Sequence, residues 1–307
     1  MKVHHAMPAS RRGGGPSAVA IGNFDGVHKG HRATIRRLHA AAQKVGASPT
    51  VLTFHPHPQQ VLRGLAPKSL VTLERKFELL DQAGIEHVWV IPFSHEFSRL
   101  EPEEFIEKTL VKHLQTQAVV VGADFRFGRF ARGDLTMLKS FGARLGFTVS
   151  GARIAELRGR RISSTAIRHA LLEGDLEWAT AALGRAYELE GRIVTGKGRG
   201  KGLGYPTANL AVKDESSALL KKGIYAGYVM LGEVKHPAAI SVGVNPTFGT
   251  NALSIEAFLL DHDEELYGRS CRFIFVKRIR DEKKFRSPAA LARAITDDVT
   301  AAREILS

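Results

Sequence analysis

The sequence is poor in cysteine and in long apolar runs, and each shortage excludes a class of protein. Cys271 is the single cysteine among 307 residues, so no internal disulfide can form. This favours a reducing compartment, the cytoplasm, with Cys271 as a buried structural thiol in the apolar run CRFIFV. No apolar run approaches the ~20 residues that a membrane-spanning helix needs. The composition therefore argues against a disulfide-rich secreted protein and against a membrane protein.

The first residues, MKVHHAMPASRRGGGPS, have no apolar stretch of the kind found in a secretory signal. They are basic and carry no acid, which leaves an organellar transit peptide open. A strand is expected to begin by Ala18, however. We therefore expect the preceding residues to be a short flexible lead-in.

The chain carries a formal charge of +13, which points to polyanionic partners. Nucleic acid and nucleotide phosphates are both candidates, and a basic surface that serves solubility alone is a third. The basic residues are scattered, and no stripe combines them with aromatic residues. Charge therefore does not decide between these interpretations.

Over the first 186 residues, apolar runs alternate with amphipathic helical patterns. The runs SAVAIG, PTVLTF, HVWVIPF and AVVVGADF predict strands, and the segments between them, such as EPEEFIEKTLVKHL, predict helices. This alternation predicts a parallel sheet wrapped by helices. Ligands of such sheets bind outside the carboxyl ends of the strands, where GNFDG, TFHPHP and VGADFRFG occur.

From Tyr187 the pattern changes to short strand-like runs that are separated by Gly, Pro and Asn. The runs are YELEGRIVTG, GIYAGYVML, HPAAISVG, LSIEAFLLD and CRFIFVKRIR, and they predict an antiparallel barrel. A last helix, capped by Ser287 with Pro288 at its first position, follows. We therefore expect two domains, an α/β domain over residues 1–186 and a β-barrel domain over residues 187–307.

Two histidines follow the first strand in the stretch GNFDGVHKGH. Gly22 and Gly26 allow a tight turn, and His28 and His31 then fall at the start of a helix with both rings on one side. A helix N-terminus attracts anions, and two imidazole donors added there can hold a phosphate. Surface histidines and metal ligands are the two other interpretations.

The stretch RRISSTAIR contains three hydroxyl side chains at the start of another predicted helix. Ser163, Ser164 and Thr165 stand there, Arg161 just before them and Arg168 one turn later. Hydroxyls and arginines at a helix N-terminus suit phosphate oxygens, although a capping cluster alone is commonplace. Together with HKGH, this stretch predicts the second half of a triphosphate clamp.

The barrel region contains a basic glycine-rich stretch, GKGRGKGLG, followed by YPTANL. The stretch is either a flexible linker or a loop that folds over phosphates, and it is not a Walker A motif. Thr207 and Asn209 lie on one side of an extended segment and offer oxygen ligands for Mg²⁺. Glu256 stands in an apolar strand, where a solvent-facing carboxylate is the simpler interpretation.

The motifs GNFDGVHKGH, TFHPHP, VGADFRFG and ISSTAIR, in this order, resemble the FMN adenylyltransferase module of bacterial bifunctional riboflavin kinase/FAD synthetases. The resemblance implies a Rossmann-like nucleotidyltransferase domain in which the FMN phosphate displaces pyrophosphate from ATP to give FAD. It implies that His28 and His31 contact the ATP phosphates. It further implies a nucleotide pocket at Gly22, Asn23, Phe24 and Asp25, a pyrophosphate site at Ser163, Ser164, Thr165 and Arg168, and a flavin site at Phe54, Pro56, Pro58, Asp124 and Phe125.

The stretches GRIVTGKGRGKGLGYPTANL, GIYAG, SVGVNPTFG and SIEAFLLDHDEELYG resemble the riboflavin kinase module of the same family. The resemblance implies a six-stranded antiparallel barrel with a C-terminal helix. It makes Glu256 the general base for the riboflavin 5′-hydroxyl, with Thr207 and Asn209 holding Mg–ATP. The implied phosphate loop includes Gly196, Gly198, Gly200 and Lys201.

Together the two resemblances predict an enzyme that makes FMN from riboflavin and FAD from FMN, using Mg–ATP twice. We expect it to act in the cytoplasm, with no nucleic-acid or membrane partner. One alternative is an adenylyltransferase whose second domain only binds flavin. Another is an RNA-binding protein of the aminoacyl-tRNA synthetase kind, although a KMSKS-like lysine loop is missing from the sequence.

Overall fold

The computed structural model describes residues 1–5, 15–195, 207–213, 220–244, 253–260 and 266–307. By contacts they fall into two units, one of Met1–Pro67 and Leu73–Ser163, the other of Lys68–Thr72 and Ser164–Ser307. The domain boundary predicted at residue 186 stays a prediction. The contact-based division instead groups the two helices before Tyr187 with the barrel.

The first unit is built on a six-stranded parallel sheet with the order β1-β4-β3-β2-β5-β6. Strand β2 is buried along its whole length, as expected of a central strand covered on both faces. The predicted parallel sheet is therefore confirmed. Its strands are β1 Lys2–His4, β2 Ser17–Ile21, β3 Ser48–His55, β4 His87–Pro92, β5 Thr116–Gly122 and β6 Thr148–Ala152.

The expectation of a flexible lead-in is wrong for Lys2–His4. These residues form β1 and pair with His87–Trp89 of β4, and the His4 ring stacks on the Trp89 ring with centroids 4.1 Å apart. Backbone pairing to a sheet edge needs no hydrophobic periodicity, and three residues are too few to display one. Residues 6–14 lie outside the described part.

The helices of this unit cover the sheet. Helix α1 begins after His28 and ends at Gly46, whose φ of 59° favours glycine. The helix predicted from EPEEFIEKTLVKHL is a short α5 that continues as a π-helix over Phe105–His113. The sequence analysis left α6, β6 and the small hairpin β7–β8 unassigned. The elements are α1 Lys29–Val45, α2 Pro58–Arg63, α3 Leu73–Gln82, α4 His95–Ser98, α5 Pro102–Glu104, α6 Leu135–Leu145, β7 Glu156–Leu157 and β8 Arg160–Arg161.

The second unit is a closed antiparallel barrel with the order β10-β13-β12-β11-β14-β9. Two helices precede it and α9 follows, so the predicted six-stranded barrel with a C-terminal helix is confirmed. The elements are α7 Ser164–Glu173, α8 Leu176–Leu183, β9 Tyr187–Val194, β10 Ala208–Val212, β11 Gly223–Leu231, β12 Val234–Val244, β13 Leu253–Leu259, β14 Ser270–Arg280 and α9 Pro288–Leu306.

A bidentate ion pair connects helix α9 to the barrel. The Arg280 Nε and Nη2 atoms donate to the two carboxylate oxygens of Asp298 at 2.7 and 2.6 Å. This geometry matches a planar guanidinium to a carboxylate and fixes the helix direction. Ser287 caps the helix by accepting from the Ala290 N–H, as predicted.

Cys271 is buried in β14, and burial raises the pKa of its thiol to about 12. The thiol stays protonated at neutral pH, which agrees with a structural role. Among the described residues, no helix combines the length and the apolar character needed to cross a bilayer.

Candidate functional site

A strained turn carries the chain from β2 into α1. Phe24 adopts a left-handed conformation with φ of 49°, and Gly26 has φ of 78°. Phe24 is also almost wholly buried, so packing of its ring offsets the cost of this backbone conformation. The turn therefore fixes the point at which α1 begins.

The two histidines of HKGH lie face to face at the N-terminus of α1. His28 is the N-cap, and its Nδ1 accepts from the His31 N–H at 3.3 Å. The ring centroids are 3.6 Å apart, with an angle of 16° between the planes. Because Nδ1 of His28 accepts, the neutral ring carries its proton on Nε2 and can donate from there. The expected position on one side of the helix start is confirmed.

The environment keeps His31 uncharged at neutral pH. Burial, the adjacent His28 and the nearby Lys76 together hold the pKa of His31 well below its usual value. Its Nδ1 is buried and has no hydrogen-bond partner among the described residues. Such an atom costs free energy unless a ligand or water satisfies it, so it marks a binding position.

Gly30 is required by the stacked rings. A Cβ at this position would lie 3.0 Å from Cε1 and 3.1 Å from Nδ1 of His28, and 3.6 Å from the carbonyl oxygen of Ile162. The glycine therefore lets the helix start approach both the His28 ring and the chain just before ISSTAIR.

The hydroxyl cluster of ISSTAIR begins α7. Ser163 ends the first unit, whereas Ser164, Thr165 and Arg168 group with the second. The Arg168 Nε donates to the Lys68 carbonyl oxygen at 2.5 Å. The clamp predicted between HKGH and this cluster stays a prediction.

Asp124 pairs with Arg161 at the carboxyl end of β5. The hydrogen bond from the Arg161 guanidinium, opposed in part by burial, lowers the pKa of Asp124. The pair joins a residue predicted for the flavin to an arginine that enters ISSTAIR. Asp124 is therefore ionised at neutral pH.

Phe54 and Phe125 belong to one continuous row of aromatic rings near the carboxyl ends of β3 and β5. Both are half-buried and pack against the core, with neighbouring centroids in the row 5.4–6.3 Å apart. The connecting rings were not predicted as site residues, because the position of a phenylalanine in the sequence does not show whether it packs in the core or binds a ligand. They are Phe97, Phe105 and Phe127.

The TFHPHP motif contacts the strained turn through His57, which was not predicted as a site residue. His57 Nδ1 accepts from the Gln59 N–H at 3.2 Å, and its Nε2 lies 3.1 Å from the Asn23 Nδ2 position. Thr53 Oγ1 donates to the Asn23 carbonyl oxygen at 3.2 Å. Pro58 begins α2 beside this contact. Asn23 is therefore held from the end of β3.

A buried charge, Lys76 of α3, was also not predicted from the sequence. Lys76 is 9% exposed, and α3 packs against the Asp25–Val27 turn. A signal was available, because Lys76 falls on the apolar stripe of Leu73, Phe77 and Leu80 in the helical pattern. A lysine on a core-facing stripe indicates a special role.

In the barrel, the structure brings Glu256, Thr207 and Asn209 together. Asn209 stands opposite Glu256 in the β10–β13 pairing. Thr207 Oγ1 donates to Glu256 Oε2 at 3.4 Å, and Ser254 Oγ donates to Glu256 Oε1 at 3.1 Å. The cluster offers a carboxylate, hydroxyls and an amide on one face. The predicted loop residues Gly196, Gly198, Gly200 and Lys201 lie outside the described residues.

Comparisons with known proteins agree with both halves of this description. A family model described as FAD synthetase matches residues 12–166, and one described as riboflavin kinase matches residues 183–306. The bifunctional riboflavin kinase/FMN adenylyltransferase of Escherichia coli (strain K12) is 36% identical over 304 residues, which cover 98% of this chain and 96% of that protein. Its counterpart in Bacillus subtilis (strain 168) is 35% identical, covering 92% and 90%.

A crystal structure described as a macrolide-efflux protein from Streptococcus pneumoniae is similar in fold. It is 30% identical with a TM-score of 0.88, covering 97% of this chain and 98% of that one. The sheet and the barrel described above therefore recur together in a solved structure.

Proposed function

The chain belongs to the family of bifunctional riboflavin kinase/FMN adenylyltransferases, and from that premise we propose how its residues divide the two reactions. It is a transferase that phosphorylates riboflavin to FMN and adenylylates FMN to FAD. Riboflavin, FMN and ATP are its substrates. The kinase reaction belongs to the barrel, and adenylyl transfer belongs to the parallel-sheet unit.

In adenylyl transfer, an oxygen of the FMN phosphate attacks the α-phosphorus of ATP, and pyrophosphate leaves with the electrons of the broken P–O bond. His28 and His31 donate hydrogen bonds to the α-phosphate, aided by the N–H groups at the start of α1. No base is needed, because the attacking phosphate is already ionised. The stacked pair of imidazoles at a helix N-terminus is the observation that carries this assignment.

The remaining predicted residues surround that step. Gly22, Asn23, Phe24 and Asp25 shape the nucleotide pocket, and the pairing of Asn23 with His57 supports this role. Ser163, Ser164, Thr165 and Arg168 steady the leaving pyrophosphate through hydroxyl and guanidinium donors. The flavin lies near the row of rings, against Phe54, Pro56, Pro58, Asp124 and Phe125.

In the kinase reaction, Glu256 accepts the proton of the riboflavin 5′-hydroxyl as the γ-phosphoryl group moves to that oxygen. Hydrogen bonds from Thr207 and Ser254 orient the carboxylate for this task. Gly196, Gly198, Gly200 and Lys201, which lie outside the described residues, would bind the ATP phosphates.

Thr207 and Asn209 would hold Mg²⁺ beside ATP. Their hydroxyl and amide oxygens, close to the Glu256 carboxylate, form an all-oxygen donor set of the kind that Mg²⁺ prefers. Bound Mg²⁺ supplies charge neutralisation between the phosphates. Thr207 also orients Glu256, so it serves both the ion and the base.

We assign the enzyme to the cytoplasm, without a nucleic-acid or membrane partner. The lone buried thiol suits a reducing compartment, and the positive charge is explained by nucleotide phosphates.

One incubation tests the whole assignment. The protein is mixed with riboflavin, ATP and MgCl₂, and riboflavin, FMN and FAD are separated by chromatography over time. FMN should appear first and FAD after it. Conversion of added FMN to FAD without conversion of riboflavin would instead identify a single-activity adenylyltransferase. A salt-dependent tRNA shift with neither product would favour the RNA-binding alternative.

A further inference from the structure

Lys76, which no step above uses, is buried at the strained turn together with an opposite charge, Asp25. Lys76 is 9% exposed and Asp25 is 8% exposed. Lysine and aspartate are rarely buried unless they are paired, because an uncompensated charge in the interior is costly. Helix α3 packs against the turn that holds Asp25, so the two charges belong to one contact.

The two charges act on each other and on the histidines. Burial lowers the pKa of Lys76, and the negative charge of Asp25 opposes that shift. The positive charge of Lys76 is in turn one of the causes that lower the pKa of His31, after burial and His28. Lys76 is therefore near enough to the stacked rings to influence their protonation.

Lys76 adds a buried cation to a site whose other proposed cation is the Arg168 guanidinium. His31 is an uncharged donor, whereas adenylyl transfer moves negative charge onto a leaving pyrophosphate. The neighbouring Arg75 is engaged elsewhere, since its Nη1 donates to Glu78 at 2.5 Å. A cation near the rings makes the electrostatic potential at the α-phosphate position more positive, and the low local dielectric strengthens the effect.

Building on the proposed adenylyl transfer, we propose that Lys76 is a further positioning residue of this site. With Asp25 it fixes the turn that begins α1 and so the positions of His28 and His31, and its positive charge favours the neutral form of His31. The charged groups that act on His31 are His28 of the N-cap and Lys76 of α3, and Asp25 of the turn acts on Lys76.

The first test compares Lys76→Met with Lys76→Arg and with Lys44→Met, an exposed lysine of α1. In Lys76→Met, we expect kcat for FAD formation to fall by about 100-fold. FMN formation from riboflavin by the same sample should keep the wild-type rate, which shows that the barrel unit is folded, and dispersed NMR signals from the other residues show that the sheet unit is folded. Lys76→Arg should recover most of the FAD rate, and Lys44→Met should match the wild type.

The second test is an NMR titration of His31, assigned by comparison with a His31→Asn sample. Removal of the positive neighbour makes the imidazolium less unfavourable, so Lys76→Met should raise the pKa of His31. A merely structural role would slow FAD formation without moving this titration, and that result would overturn the proposal. An unchanged FAD rate would overturn it as well.

Failure of the underlying function gives a different result, since the wild type would then make no FAD. If Lys76→Met does not fold, which loss of the dispersed NMR signals of the sheet unit would reveal, Lys76→Gln replaces it. The expected upward shift of the His31 titration and the loss of FAD formation are the same, and a wild-type titration in that variant would refute the proposal.

Discussion

The two candidate sites use opposite chemistry on opposite kinds of architecture. The parallel-sheet unit offers hydrogen-bond donors at a helix N-terminus, two imidazoles and the backbone N–H groups. The barrel offers a carboxylate held by two hydroxyls on a strand face. The nucleophiles explain the difference, because an ionised FMN phosphate needs charge stabilisation, whereas a riboflavin hydroxyl needs a base.

The largest effect is expected in the barrel. Glu256→Ala should reduce riboflavin phosphorylation by about 100- to 10,000-fold, because the proposed acceptor of the hydroxyl proton is lost. FAD formation from supplied FMN should continue, as measured by chromatography. Retained kinase activity would remove Glu256 from its role as base.

The corresponding change in the sheet unit is His31→Ala. FAD formation should fall by about 100- to 1,000-fold, since one of the two donors to the α-phosphate is lost. FMN should then accumulate from riboflavin. Loss of both products in a folded variant would contradict the separation of the two sites.

A smaller effect is expected from Gly30→Ala, which keeps both histidines. The added methyl group would press on the His28 ring at 3.0 Å, so the stacked pair must shift. We expect about a 10-fold slower FAD formation, in line with small misplacements of catalytic groups. Gly15→Ala is the control, because its Cβ meets nothing within 4 Å. Equal rates for the two variants would mean that ring stacking is unimportant.

The smallest effect concerns stability in acid. The pKa of His31 is lowered in the folded protein. Below about pH 6.5 the His31 ring therefore binds a proton in the unfolded chain but not in the folded chain. The free energy of unfolding should therefore fall with pH in that range, by at most about 1.4 kcal/mol per pH unit from this group. Urea unfolding at several pH values should show a weaker slope for His31→Phe. An identical slope would contradict burial of His31 as a neutral ring.

Much of the fold could be predicted because long elements display their periodicity. The alternation over residues 17–125 predicted the parallel sheet, and the Gly- and Pro-punctuated runs after Tyr187 predicted the barrel. Strand β1 was not predicted, because three paired residues are too few to show a hydrophobic periodicity. The π-helix over Phe105–His113 was not predicted, because hydrophobic spacing does not distinguish α-helical from π-helical turns.

The site was predictable only where a motif concentrates one chemistry. The two histidines of HKGH lie on one side of the helix start, and Thr207 and Asn209 lie on one side of an extended segment, as their spacing predicted. The pairings of His57 with Asn23 and of Arg161 with Asp124 join distant segments, and a single sequence contains no sign of them. The burial of Lys76 depends on what α3 packs against, which only the tertiary structure reveals.

The second unit is assembled from two separate stretches of chain, and this affects how the protein can be divided. Residues 68–72 belong to it although they lie within the N-terminal sequence, and Thr72 Oγ1 donates to Glu190 Oε2 of β9 at 2.5 Å. A gene fragment that starts after residue 163 or 186 would encode the barrel without this segment. An autonomous kinase fragment would therefore be best obtained by grafting residues 68–72 through a linker or by supplying them as a peptide.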